Sequence, residues 1–408
     1  MSNPLQLSIV NFNKDAYIIV EGKQRAECFY ILRSGQVRIS KEVEVVEEEK
    51  GNVLGPGDFF GVVSTMSSHS HIETAQAITD VSLIAVQREQ YGLLIEKNAP
   101  VAMKIIEQFS RRMRYLDEAL GRLTNKASVE GDPEHLFNLA EYYAKLNQYN
   151  LAYYAYYHYA KSHPRGLNMQ KAMERMAKIQ PYAKAVFLDG SETTFNRLYP
   201  KNTMIFAESM QGKELYIIQK GSVKISKLVG GTEVLLAILK IGDIFGEMSL
   251  IENKPRSASA VAYEDATLMA VNKDNFARMV SSQPQIIARL TQLLSERIWF
   301  IYKQLANTLQ SDPLGKMYDA LLIQLEKARI SIRSGESHTF DFGPKELISM
   351  VGLPLVEGNK AMHELLQNPK IKAVENRIVS LNVVEILNQA TYYRKLQKLE
   401  KIRRQQGR

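Results

Sequence analysis

The sequence has little material for disulfide or metal chemistry. A single cysteine, Cys28, cannot close an internal disulfide, and the seven histidines show no ligand spacing that suggests zinc. No apolar run approaches ~18 residues, and Met1 to Gln6 leads directly into a strand-like pattern. Neither a membrane span nor a secretory signal fits, so a cytoplasmic location is expected. No nucleophile–base or carboxylate constellation with recognisable spacing is present, which leaves an enzyme without support. What remains is globular: 45% of residues are hydrophobic and 24% charged, and 408 residues suggest two to four domains.

The net charge of +8 is concentrated at one end. From Arg394 to Arg408 seven lysines and arginines stand against Glu400 alone. Such a run is either a solvated helix end or a nucleic-acid contact, and both readings stay open.

Two segments of the chain match each other. Glu27 to Lys41 (ECFYILRSGQVRISK) reads like Glu214 to Lys227 (ELYIIQKGSVKISK), with apolar residues alternating about Gly35 and Gly221, and each predicts a β-hairpin. GPGDFFG ending at Gly61 matches KIGDIFG ending at Gly246, 185 residues later. The same offset relates two helical stripes: Ile105, Phe109, Met113, Leu116 and Leu120 in the first, Leu290, Leu294, Ile298, Ile301 and Leu305 in the second. A seam spaced by three and four suits pairing with another long helix, or packing on its own β domain.

Between the copies, Leu136, Leu139, Ala140, Tyr143, Ala152, Tyr156 and Pro164 follow the tetratricopeptide pattern, with Asn168 to Ile179 as a capping helix. One such repeat cannot bury its faces alone, so a helical spacer packed on its neighbours is expected rather than a separate peptide groove.

Gly242, Asp243, Phe245, Gly246, Glu247, Pro255, Arg256, Ser257 and Ala258 carry a further pattern: a strand ending in Gly-Asp, a short helix opening with Phe-Gly-Glu, and Pro-Arg followed by small residues. This resembles the phosphate-binding cassette of cyclic nucleotide-binding domains, as found in the catabolite activator protein and Fnr-like regulators and in protein kinase A regulatory subunits. The residue types suit that chemistry. Arg256 offers a planar fork of donors to phosphodiester oxygens. Gly246 lets backbone approach a ligand, and the first amides of the short helix, at Met248 and Ser249, can donate to an anion. Glu247 supplies an acceptor for a ribose 2′-hydroxyl, and Ser257 adds a hydroxyl near phosphate or base. Aligned with the bacterial regulators, the hydroxyl pair that contacts adenine falls on Ile301 and Tyr302. Tyr302 or Trp299 can instead stack on the purine or belong to a helix interface. By resemblance the effector is cyclic AMP, with cyclic GMP open; no other cofactor is implied.

The first copy departs from the cassette where it matters. Val62 stands at the glutamate position and His71 at the arginine position. Each lost charged hydrogen bond costs about 1.5 to 3 kcal/mol, so losing both weakens binding by more than roughly 100-fold. Phe60 to Ala77 is therefore expected not to bind a cyclic mononucleotide. His69 and His71 are either functionless loop histidines or, when protonated, a site for another anion.

Asp312-Pro313 reads as a helix start. The order that follows is helix to Ile330, strand Thr339 to Phe342, helices Pro344 to Val351 and Pro354 to Asn368, and a hairpin-like Ile371 to Leu381. It resembles the winged helix-turn-helix of the same regulators. Its second helix is poorly equipped for DNA: Leu355 and Val356 replace the base-reading Arg and Glu, and only Lys360 keeps a basic position. DNA affinity would rest on Lys360, Lys370, Lys372, Arg377 and the tail.

The expected architecture is α+β and multidomain. It comprises a degenerate β-roll with long helix (1–125), a tetratricopeptide-like spacer (126–188), an intact jelly-roll-like β-roll with long helix (189–311), a winged helix (312–393) and a basic tail (394–408). The expected role is a cyclic nucleotide-responsive transcription regulator, or alternatively an adaptor whose winged helix faces protein. The long helices are expected to pair between chains or, as a pseudo-dimer, within one.

Overall fold

A computed structural model describes residues 7–22, 26–41, 52–123, 132–183, 195–229, 231–247, 249, 254–272, 275–276, 278 and 284–406. The repeat seen in the sequence is a repeat of topology. In the first β-roll one antiparallel sheet runs in the order Ser8–Phe12, Val81–Gln87, Cys28–Ser34, Phe59–Phe60, and the other Tyr17–Ile19, Thr74–Ala77, Val37–Ser40, Val53–Leu54. The second roll repeats both orders: Asn196–Tyr199, Ala266–Asn272, Glu214–Lys220, Ile244–Phe245, and Met204–Phe206, Ser259–Ala262, Val223–Val229, Thr232–Leu239.

The predicted hairpins about Gly35 and Gly221 are not hairpins. Cys28–Ser34 pairs with Phe59–Phe60 and Val81–Gln87, whereas Val37–Ser40 pairs with strands of the opposite sheet, and the second roll does the same. The glycines turn the chain from one sheet to the other. Both have positive φ, 89° and 77°, and a Cβ would lie 2.3 Å from the Asp80 carbonyl oxygen at Gly35 and 2.2 Å from that of Asp265 at Gly221. Alternating apolar residues mark a strand with one buried face; they do not say which strand it pairs with.

Each roll leads into a 25-residue helix, Ala99–Leu123 and Pro284–Thr308. The two stripes meet. Ile105, Phe109, Met113 and Leu116 share one buried cluster with Leu290, Leu294, Ile298, Ile301 and Leu305, joined by residues from both rolls. The side chain of Leu120 lies outside the described residues. Polar contacts cross the same interface: Tyr91 Oη is 3.0 Å from Thr291 Oγ1, and Trp299 Nε1 donates to the Ser70 carbonyl at 3.1 Å. The two long helices therefore pair within one chain.

The intervening helices His135–Lys145, Tyr149–Ser162 and Met169–Ile179 bury Phe137, Tyr143, Tyr156 and Tyr159, and pack on Met204, Ala207, Leu228 and Val261 of the second roll. Tyr143 and Tyr154 donate from this layer to Glu233 (3.0 Å) and to the Ile205 carbonyl (3.2 Å).

The C-terminal module contains the helices Pro313–Lys327, Pro344–Met350 and Leu355–Gln367, with a small sheet ordered His338–Thr339, Arg377–Ser380, Ile371–Val374. The Asp312 carboxylate caps the first helix, accepting from the Gly315 amide at 2.7 Å. The strand expected over Thr339 to Phe342 is the shorter His338–Thr339. The basic tail is continuous with the module: Val383–Gln406 is a single helix whose first turns bury Val383, Ile386 and Ala390, so no boundary falls at 393. Among the described residues no helix is long and apolar enough to cross a membrane.

The Trp299 interface is expected to make the fold acid-sensitive. Its indole stacks on His69 at 4.0 Å between ring centroids, and burial, with Arg329 and Lys303 nearby, lowers the His69 pKa from 6.5 to about 4. The folded state holds this imidazole neutral while the unfolded chain protonates it near 6.5. Stability present above pH 6.5 is therefore lost progressively as pH falls toward 4. Urea unfolding followed by the fluorescence of Trp299, the only tryptophan, is expected to show this loss, and His69→Phe to reduce it.

Candidate functional site

The second cassette gathers its polar groups beneath the surface. Gly246 has a φ of 77°, and a Cβ there would stand 2.5 Å from Arg256 Nη1. That closeness lets the guanidinium reach backbone. Arg256 Nη1 donates to the Gly246 carbonyl and to Ser249 Oγ, both at 2.6 Å, and Nη2 donates to the Glu214 carbonyl at 2.7 Å. The guanidinium lies over the Phe206 ring, 4.0 Å from its centroid.

Arg256 is only 6% exposed, and burial lowers its pKa from the usual arginine value. It remains a cation, because an arginine pKa starts far above neutrality. Its direct partners are neutral dipoles and ring faces; among the described residues no carboxylate lies within ion-pair distance, and its buried Nε has no acceptor. The Glu247 and Glu214 carboxylates act on it only through space, so its hydrogen-bonding fork remains open to an arriving anion.

Glu247 is 2% exposed, and its carboxylate accepts from Arg297 Nη1 at 2.8 Å. Arg297 belongs to the second long helix, 50 residues along the chain. Motif reasoning missed it. One signal was available: aligned at the 185-residue offset, the two long helices share only three identities, Ser110/Ser295, Arg112/Arg297 and Leu120/Leu305. A polar identity on helices that otherwise differ marks a shared task.

Ser249 is buried beside Arg256, its hydroxyl 3.1 Å from the Gly246 carbonyl, and Ser257 is half-buried next to it in sequence. Met248 lies outside the described residues.

Tyr302 is not with this group. Its buried hydroxyl donates to Glu21 of the first roll at 3.0 Å, and Glu21, Arg112 and Glu73 all act on its ionisation. Trp299 likewise faces the first roll through Ser70 and His69. Assigning a base contact to Tyr302 is corrected accordingly. When two long helices pair, a residue on one reaches across to the opposite roll, which alignment with a single domain does not reveal.

The first cassette has been rebuilt around a different carboxylate. Val62 is buried where Glu247 stands in the second. Glu73 instead accepts from the Gly61 amide at 2.9 Å and stands 3.8 Å from Arg112, the counterpart of Arg297. His71 is buried and His69 half-buried, so neither is an exposed loop histidine. Burial lowers both pKa values, so both are neutral near pH 7 and unsuited to holding an anion there.

On the C-terminal module, Leu355 is 70% and Val356 85% exposed at the start of Leu355–Gln367. Lys360, Lys372 and Arg377 are exposed, and Lys370 pairs with Glu385 at 3.3 Å.

Comparison with known proteins agrees with this geometry. The family model for the cyclic nucleotide-binding domain matches twice, at residues 9–98 and 196–283. The Cyclic AMP receptor protein of Thermus thermophilus is 30% identical over 177 residues, 43% of this chain and 79% of that protein. The CRP-like cAMP-activated global transcriptional regulator of Mycobacterium tuberculosis is 28% identical over 165 residues, 40% of this chain and 74% of that protein. A cAMP-dependent protein kinase regulatory subunit from Eremothecium gossypii is 22% identical over 285 residues, 70% of this chain and 46% of that protein. The two matches define a protein with tandem domains of the cyclic nucleotide-binding family. The chain belongs to the catabolite activator protein and Fnr-like family of regulators.

Removing Arg297 tests the site's internal pairing. Arg297→Ala leaves a buried carboxylate without its cation, and because the Arg297 side chain is 46% exposed the loss is expected at about 1–3 kcal/mol rather than the full cost of breaking a buried pair. Adding Glu247→Gln removes the orphaned charge, so the double variant is expected to be more stable than Arg297→Ala alone in urea denaturation.

Proposed function

We propose that the chain is a cyclic nucleotide-responsive transcription regulator whose second roll binds cyclic AMP and whose C-terminal module is a winged helix acting on DNA. The carrying observation is that one buried cassette holds Arg256, a cation whose hydrogen bonds end on neutral groups, beside Glu247, whose carboxylate pairs with Arg297 on the helix leading to the C-terminal module. In this reading Gly246, Glu247, Met248, Ser249, Arg256 and Ser257 form the ligand set. The phosphodiester engages Arg256, and the ribose 2′-hydroxyl donates to Glu247 in competition with Arg297. The segments 1–125, 126–188, 189–311 and 312–406 act as degenerate roll, tetratricopeptide-like spacer, sensor and output.

The ligand acts only by differential affinity. A cyclic nucleotide that engages Glu247 favours helix positions in which Arg297 is released, and so shifts the population of the output module. The helix is tied to that module at the adjacent residue: Glu296 accepts from Arg329 Nη2 at 2.7 Å, and Asn307 Nδ2 donates to the Lys316 carbonyl at 2.8 Å.

A second reading rests on Leu355 and Val356. Exposed aliphatic side chains at the start of this helix favour contact with protein over phosphate, which supports a cyclic nucleotide-responsive adaptor.

Calorimetry of the whole chain with cyclic AMP, cyclic GMP and a cyclic dinucleotide is expected to give one mononucleotide site per chain, tightest for cyclic AMP. Arg256→Ala should weaken it by at least 100-fold. Two equal sites, or unchanged affinity in the variant, would sink the assignment. Gel shifts with and without cyclic AMP separate the outputs: ligand-dependent, salt-sensitive retardation supports DNA, and its absence in a ligand-binding protein supports the adaptor.

A further inference from the structure

The segment from Met204 to Met210 lies between two layers. On one side are the spacer helices: Met204 and Ala207 belong to one buried cluster with Tyr143, Tyr154 and Tyr156, and Met210 packs against it. On the other side is the second cassette. The Phe206 ring lies under the Arg256 guanidinium at 4.0 Å, and the two main chains pair in both directions. The Arg256 amide donates to the Met210 carbonyl at 2.7 Å, and the Ser209 amide donates to the Arg256 carbonyl at 2.9 Å. Whatever fixes this segment therefore fixes the backbone from which the guanidinium projects.

Glu208 ties the segment to both layers. It is only 3% exposed, and its amide donates to Ser259 Oγ at 2.9 Å, three residues beyond Arg256. Its carboxylate accepts from the Leu228 amide at 3.1 Å and stands 3.7 Å from Lys227 Nζ, both on strand Val223–Val229 of the roll. The same carboxylate stands 3.2 Å from Nε2 of His135, a buried residue that begins the first spacer helix. A buried carboxylate is costly unless polar groups surround it, and here one of those groups comes from outside the roll. The spacer thus reaches the interior of the second roll at the segment that carries the main-chain bonds of Arg256. Placement matters for this side chain, because a planar guanidinium meets a phosphodiester in a fixed orientation that a flexible ammonium does not require.

We propose that Glu208 is a positioning residue of the second cassette, held by His135, through which the spacer sets the affinity of Arg256 for the cyclic phosphate. The proposal rests on the reading that this cassette binds a cyclic mononucleotide. It gives the spacer a part in ligand recognition although none of its residues belongs to the ligand set.

The test is calorimetry of the full chain with cyclic AMP, below the unfolding temperature of every variant. Glu208→Gln keeps the shape of the side chain and an acceptor for the Leu228 amide, and removes the charge that faces His135. His135→Leu removes the spacer's side of the contact. Each is expected to weaken binding by about 3- to 30-fold, the range in which residues outside a site modulate it. Both substitutions are then repeated with Arg256→Lys, a weaker binder whose flexible stem does not depend on exact placement of the backbone. In that background their effect is expected to shrink markedly, which a general loosening of the roll would not produce. Wild-type affinity in a folded Glu208→Gln or His135→Leu chain overturns the proposal, as does a loss that persists in full beside Arg256→Lys. Failure of the wild-type chain to bind cyclic AMP or cyclic GMP would overturn the functional reading itself, and is thereby distinguished from failure of this inference.

Discussion

The structure depends on the burial of one helix by both halves of the chain. Pro284–Thr308 places Leu290, Leu294, Ile298, Trp299, Ile301, Tyr302 and Leu305 out of water at once, too many directions for a single small roll to cover. The first long helix covers one side and the first roll another. Because the helix is packed on several sides, it cannot tilt by small degrees without opening voids; close-packed interfaces move between discrete arrangements. Glu296 and Arg297 are neighbours on this rod, one paired with Arg329 beyond the C-terminal module's first helix and the other with Glu247 in the cassette. The cassette and the C-terminal module are thus tied to adjacent residues of one helix.

The two cassettes solve the same charge problem in different ways. In both, an arginine of the following long helix faces a cassette carboxylate. In the second the carboxylate is Glu247, beside Arg256. In the first it is Glu73, already satisfied by the Gly61 amide and Arg112, with Val62 and a neutral His71 where ligand-binding groups would be. The first half lacks the glutamate and arginine of the second cassette and keeps the arginine–carboxylate contact, which leaves it suited to anchoring the interface.

Much of this was legible in the sequence, and the limits follow from the kind of interaction. The repeat, the cassette, the helical stripes and the Asp312-Pro313 cap are encoded in short stretches, where spacing and residue type suffice. Misreadings came from pairings between distant segments. The strands flanking Gly35 alternate as a hairpin would, yet they belong to opposite sheets, because alternation records one buried face and nothing about the neighbour. Tyr302 faces Glu21, 281 residues away, and Arg114 faces Pro255, 141 residues away. Such contacts are set by how two halves dock; the matched arginines at 112 and 297 hinted only at pairings within each half, with Glu73 and Glu247.

Carrying both long helices on one chain has a kinetic and evolutionary consequence. Where two identical subunits must meet to build such an interface, its occupancy falls on dilution, and each mutation appears twice. Here the partner is tethered, so its effective concentration is fixed by the linker and independent of how much protein is present. Each half is also free to change alone. One half can change its chemistry while the other keeps it; under the proposed reading, with one site per chain, the response to ligand is graded, without the steepness that two coupled sites would bring.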